Sequence, residues 1–176
     1  DEEKGDNMRT HCQTIDTRWG SDNHPHYSRG NTLPYTGVPF GMNYFLPQTT
    51  HEQGAWFFNP NLPIFQGFRL THQPSPWIGD YAWCLITPIT GDIASSDLFR
   101  LQSSYSMKEA IFQPHYLRIF SERYQIQSEL VPSCYGAIMR FRAPEKLTLC
   151  FHAAKELEDL SLTDQTCHFR ILDQTH

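Results

Sequence analysis

Tyr116-Leu117-Arg118-Ile119-Phe120, Gln125-Ile126-Gln127-Ser128-Glu129-Leu130-Val131 and Gly136-Ala137-Ile138-Met139-Arg140-Phe141-Arg142 follow one another with only short breaks. Each run is short, rich in β-branched or aromatic residues, and often alternates apolar with polar positions, as a half-buried strand should. Turn-forming residues separate the runs at Ser121 to Tyr124, Pro132 to Tyr135 and Ala143 to Lys146. That spacing suits antiparallel strands in a sandwich. The prediction is an all-β chain folded as an antiparallel β-sandwich.

Outward from this block the same pattern recurs. Tyr81-Ala82-Trp83-Cys84-Leu85-Ile86-Thr87 reads as a strand, closed by turn residues from Pro88 to Asp92. Leu147 to Ala153 and His168 to Leu172 add two more, flanking an acidic connection from Lys155 to Asp164 that could form a helical turn. Ser106-Met107-Lys108-Glu109-Ala110 alone reads as locally helical, and Pro114 would end it. The first dozen residues are polar and charged, which predicts a loosely attached arm over 1–13 and a sandwich over 14–176. The chain stops at His176 directly after a strand-like run, which predicts truncation from a longer polypeptide.

Composition removes several function classes. Charged residues make up 19% of the chain and the formal net charge is -5, so no basic face is available to neutralise phosphates and nucleic acid is not an expected partner. Apolar runs fall well short of the roughly 20 residues that span a bilayer, so no membrane partner is expected either. The start, Asp1-Glu2-Glu3-Lys4, does not resemble a signal peptide. Five cysteines, at 12, 84, 134, 150 and 167, are odd in number and contain no C-x-x-C pair, which disfavours a zinc ribbon or a thioredoxin-like motif. Aromatic residues reach 14%, and aromatic faces in polar surroundings serve both sandwich cores and sugar stacking.

The segment His72-Gln73-Pro74-Ser75-Pro76-Trp77-Ile78-Gly79-Asp80 packs two prolines, one aromatic residue, one carboxylate and several donors into nine residues. Its prolines restrict the backbone, Trp77 offers an apolar face, and Asp80 can accept hydrogen bonds from sugar hydroxyls. A structural reading is open beside this one, with Trp77 filling a core gap and Asp80 capping a turn. From Ser21 to Gly41 the chain is dense in Gly, Pro, Asn and His, and a loop of that length inside a compact domain is usually functional. Within it, Arg29 and Asn31 supply donors, although Arg29 could equally pair with a structural carboxylate. Asp22-Asn23-His24-Pro25-His26 has no diagnostic metal spacing and reads as loop-anchoring. Neither phosphate-loop glycines nor a G-x-S-x-G elbow occurs, and no pair among Asp16, Asp22, Glu52, Asp80, Asp92 and Asp97 is selected as acid and base by spacing.

Five ordered blocks carry a resemblance: Asp16-Thr17-Arg18-Trp19-Gly20, Ser28 to Pro34, Val38-Pro39-Phe40-Gly41-Met42, Pro47-Gln48-Thr49 and Gly67 to Asp80. In order and separation they resemble the N-terminal domain of glycoside hydrolase family 92. The resemblance implies a supersandwich of the galactose-mutarotase-like kind, belonging to a calcium-dependent exo-α-mannosidase that inverts the anomeric centre of mannose-containing glycans. It further implies a C-terminal helical toroid in the same polypeptide, which carries the calcium ligands and both catalytic carboxyl groups. The chain by itself is then expected to hold no catalytic residue, no metal ligand and no activity. Its expected contribution is one wall of the substrate pocket, formed by Arg29, Asn31, Phe40, His72, Trp77 and Asp80. A secreted, periplasmic or cell-surface parent protein is expected. The rival expectations are a stand-alone carbohydrate-binding module and a purely structural sandwich.

Overall fold

The computed structural model describes residues 13–22, 32–51, 56–72, 74–75, 82–153, 156–163 and 165–171. Its strands are β1 (Tyr44–Gln48), β2 (Ile64–Phe65), β3 (Gly67–Thr71), β4 (Cys84–Thr90), β5 (Ser103–Ser104), β6 (Ile111–Gln113), β7 (Tyr116–Ser121), β8 (Ile126–Pro132), β9 (Ala137–Arg142), β10 (Leu147–Ala153), β11 (Leu157–Leu162) and β12 (Cys167–Ile171). A helical turn, α1 (Leu98–Leu101), follows an Asp97 cap. Two four-stranded antiparallel sheets dominate, in the orders β1-β3-β4-β10 and β6-β7-β8-β9, with two-stranded ribbons β2-β5 and β11-β12 beside them.

The β6 to β9 meander matches the alternation that its sequence predicts. Leu117, Ile119, Ile126 and Leu130 turn inward and are fully buried, while Arg118, Glu129 and Arg140 stand in register on the other face. Arg140 grips the Glu129 carboxylate from Nε and Nη2 at 2.7 and 2.9 Å, and the Tyr116 hydroxyl donates to it at 2.6 Å. Those hydrogen bonds, Arg140 first and Tyr116 second, hold the Glu129 carboxyl down to about 2.

Strands β1, β3 and β4 of the other sheet are covered on both faces, so they do not alternate. Phe45 through Gln48 are all buried, and in β3 only Leu70 is partly open. Phe68 reaches the opposite sheet, its ring centroid 6.5 Å from that of Phe141, and a continuous core joins Phe45, Phe65, Phe68, Phe112, Leu117 and Leu130. Gly67 is required where β3 begins: its φ is 142°, and a Cβ there would lie 2.4 Å from the Ile86 carbonyl oxygen. Along the β1 and β6 edges the sandwich is closed by the segment before β1. Thr36 bridges to Phe45, its hydroxyl donates to the Gln113 carbonyl at 2.9 Å, and the Gly37 amide donates to the Pro114 carbonyl at 2.8 Å.

Three local expectations are corrected. Ser106 to Ala110 makes a single hydrogen-bonded turn on the Ser106 carbonyl rather than a helix, and the helical turn lies at Leu98–Leu101 instead. The acidic connection contains strand β11, paired with β12. The strand read as Tyr81 to Thr87 spans Cys84–Thr90, paired with β10 along its whole length, and Tyr81 lies outside the described residues. Pro88 is tolerated there since β3 pairs with β4 only from Cys84 to Ile86, so the missing N–H falls beyond that ladder.

Candidate functional site

The antiparallel register of β1 and β3 sets Tyr44 opposite Thr71. This places the residues before β1 and those after β3 at one end of the sheet. Phe40 arrives there on a tight turn in which the Gly41 amide donates to the Val38 carbonyl at 3.0 Å. Pro39 and Phe40 are its two central residues, and Phe40 has φ 59°, the left-handed value a type II turn ordinarily assigns to Gly or Asn. Its side chain is 99% exposed. A large apolar group held in solvent on strained backbone satisfies no folding requirement, and such strain is concentrated at binding sites.

The turn is anchored from below. The Met42 amide donates to the Cys134 carbonyl and Asn43 Nδ2 to the Tyr135 carbonyl, each at 2.7 Å, joining it to the β8–β9 connection. His72 leaves β3 at the same end, its ring 5.1 Å from that of Trp83. The Tyr35 hydroxyl donates to the Pro74 carbonyl and ties the start of the following loop to the closing segment. Where that loop re-enters β4, Ala82 is buried with φ 58°. Its carbonyl accepts from Arg69 Nη1 at 2.9 Å.

Arg69 is a buried cation on β3. Its Nε and Nη2 donate to Gln48 Oε1, and its guanidinium lies 4.5 Å from the Phe57 ring centroid. Gln48 donates in turn to Gln66, and Gln66 to Gln102, at 2.8 and 3.0 Å. A chain of amides thus runs behind the sheet from the loop end to α1. His152, on β10 opposite Leu85, is pushed below its ordinary value by burial and then by Arg69.

In front of the sheet a groove of about 540 Å³ opens between the two sheets. Asn43, His72, Trp83 and Tyr135 line it together with the apolar side chains Leu70 and Phe151. Aromatic faces beside amide and imidazole donors are suited to sugar rings. Trp83 and Tyr135 were not singled out in the sequence, because one stood inside a strand pattern and the other in a turn. Of the expected wall, Phe40 and His72 come to the same end of the sandwich, although Phe40 is not part of the groove lining. Arg29, Asn31, Trp77 and Asp80 lie outside the described residues, as do His24 and His26. Among the described residues no group of three or more His, Cys, Asp or Glu side chains is gathered that could hold a metal ion. Among the described residues the most buried carboxylates are already engaged, Asp16 with Arg18 and Glu129 with Arg140.

Solved structures of similar fold share a class. A family GH92 inverting mannosidase from Bacteroides thetaiotaomicron matches with 30% identity and a TM-score of 0.63, over 75% of this chain and 18% of that one. A GH92 α-mannosidase from the same organism matches with 24% identity and a TM-score of 0.58, over 74% and 18% respectively. No curated protein matches. The fold is that of the β-sandwich domain of a glycoside hydrolase. Residues 14–175 match the glycosyl hydrolase family 92 N-terminal domain, and the chain belongs to that family. It spans about a fifth of the length of the mannosidase chains it matches.

Proposed function

We propose that this chain is the N-terminal substrate-binding and structural domain of an exo-acting, inverting α-mannosidase that works on α-linked mannosides of glycans. The reading is supported by the family match over 14–175, together with the gathering of the Phe40 turn and the His72 loop at one end of the sandwich. Phe40 and His72, together with Arg29, Asn31, Trp77 and Asp80, form one wall of the sugar pocket. Trp77 stacks on a mannose ring or its leaving group, while His72 and Asp80 bind hydroxyls or orient the loop. The acid and base belong to a C-terminal helical toroid in the same polypeptide, on opposite sides of the scissile bond and far enough apart to admit a water. Calcium, bound to the sugar, has its ligands there too. The parent protein acts outside the cytoplasm, as a secreted, periplasmic or cell-surface enzyme.

The test uses the longer polypeptide on α-linked mannobiose, followed by proton NMR. β-mannose should appear first, and a chelator should abolish the reaction until calcium is restored. The 176-residue chain alone should release no mannose. First-formed α-mannose, or hydrolysis by the chain alone, would contradict the proposal.

A further inference from the structure

The β11-β12 ribbon shares no ladder with the body of the sandwich. Its strands pair with each other and, among the described residues, with neither large sheet. All six residues of β11 are exposed. β12 alternates instead, with Cys167, Phe169 and Ile171 half-buried while His168 and Arg170 stand in solvent. The half-buried side meets the sheet where the Phe169 ring lies 6.1 Å from that of Phe151. A two-stranded ribbon held by side-chain packing opens at little cost unless something stronger fastens it.

The antiparallel register fixes what lies under that side. Ile86 pairs with Phe151 and Cys84 with Ala153, so these four side chains point to one face of the sheet. Cys84 is 2% exposed there. Cys167 precedes Phe169 by two positions and therefore shares its inward side. With Phe169 against Phe151, Cys167 reaches the sheet about 7 Å further along, the interval that also separates Phe151 from Ala153 and Ile86 from Cys84. Electrostatics agrees with this placement. Burial pushes the Cys84 thiol up to about 11, Arg69 pulls against that, and Cys167 adds to it, so a charge at 167 is felt at 84. The remaining described cysteines are elsewhere: Cys150 pairs with Thr87 and points to the other face, and Cys134 is exposed in the β8–β9 connection.

We propose that Cys84 and Cys167 join in a disulfide that clamps the β11-β12 ribbon onto β4 and β10. The reaction needs a disulfide oxidant, either a small-molecule disulfide or that of a thiol oxidoreductase. The Cys167 thiolate attacks the oxidant and releases one of its thiols. Cys84 then gives up its proton, attacks the Cys167 sulfur and releases the second. Two protein thiols thus become one S–S bond while one oxidant disulfide becomes two thiols. A buried thiol pushed so high is a slow nucleophile, so the bond forms while the chain folds, before β12 settles on the sheet. It closes a long loop from β4 to β12 and so restricts the unfolded chain. An enzyme acting outside the cytoplasm, as proposed above, meets the oxidising setting in which such bonds persist; the pairing itself stands on the register and the ring contact.

The test needs no assay of activity. The longer polypeptide is produced in an oxidising periplasm, its free thiols are blocked with iodoacetamide, and it is digested without reduction for mass spectrometry. Peptides containing Cys84 and Cys167 should appear joined, two hydrogens lighter than their sum, with Cys134 and Cys150 blocked. Blocked thiols at 84 and 167, or either of them joined to a different cysteine, would overturn the proposal. Hydrogen exchange then reads the clamp. Reductant should speed exchange of the 157–162 and 167–171 amides at least about tenfold, and Cys167→Ser should exchange at that faster rate with or without reductant. Equal exchange in oxidised and reduced wild type would overturn the clamp.

Discussion

Phe40 shows how a single residue can be costly to the fold and useful to the site. It holds φ 59° with its side chain 99% exposed, and left-handed backbone costs a residue with a Cβ about 1–2 kcal/mol. Phe40→Gly removes that strain, while the greater freedom of Gly in the unfolded chain takes back about 0.5–1 kcal/mol. The expected net gain is about 0.5 kcal/mol in urea unfolding, accompanied by a loss of kcat/KM in the longer polypeptide; retained kcat/KM would remove Phe40 from the pocket wall. Glu129 illustrates the opposite case, a charged residue that serves the fold alone. Its carboxyl sits at about 2 when folded, against an ordinary 4.5. Its contribution is complete above pH 4.5 and fades as pH falls toward 2. Since Arg140 is 60% exposed, salt should weaken the pair. Glu129→Gln should flatten the acid limb of a Tm-against-pH curve between pH 5 and about 2, and an unaltered limb would show that the pair contributes nothing. The sequence marks Phe40 only through its family block, whereas Glu129 appears there merely as a polar position in a strand.

At the scale of elements, legibility followed burial. The β6 to β9 meander has one buried face, so alternation exposes it, and its turns fall within a residue or two of where Gly, Pro and Ser cluster. β1 and β3 are buried on both faces and include Gln48, Arg69 and Thr71, polar side chains that break any apolar run. Nothing local distinguishes such a strand from a loop, and its reason lies in the amide chain behind the sheet. That chain is also a point of weakness. Gln48→Leu removes the acceptor of two Arg69 donors and the donor to Gln66, and should cost about 2–4 kcal/mol in chemical unfolding. A loss below about 1 kcal/mol would mean that Arg69 is held adequately by its other contacts, Ala82 and Phe57 among them. β11 was obscured for another reason. All six of its residues are exposed, so burial writes no pattern into them.

For the molecule as a whole, the sandwich class and the family were both readable before any coordinate, the first from turn spacing and the second from ordered blocks. The position of the site required the fold. Phe40 and His72 stand 32 positions apart in the chain, and only the pairing of Tyr44 with Thr71 brings their loops to a common end. The central claim is that this end faces substrate. The measurement that tests it most directly is kcat/KM for α-mannobiose in the longer polypeptide, comparing Trp77→Ala with Phe99→Ala. Phe99 is a control of similar size, 64% exposed beside the opposite end of β4. Trp77→Ala should reduce kcat/KM at least about tenfold, or ~1.4 kcal/mol of transition-state binding, with Tm unchanged and Phe99→Ala without effect. An unaltered kcat/KM in Trp77→Ala would contradict the account.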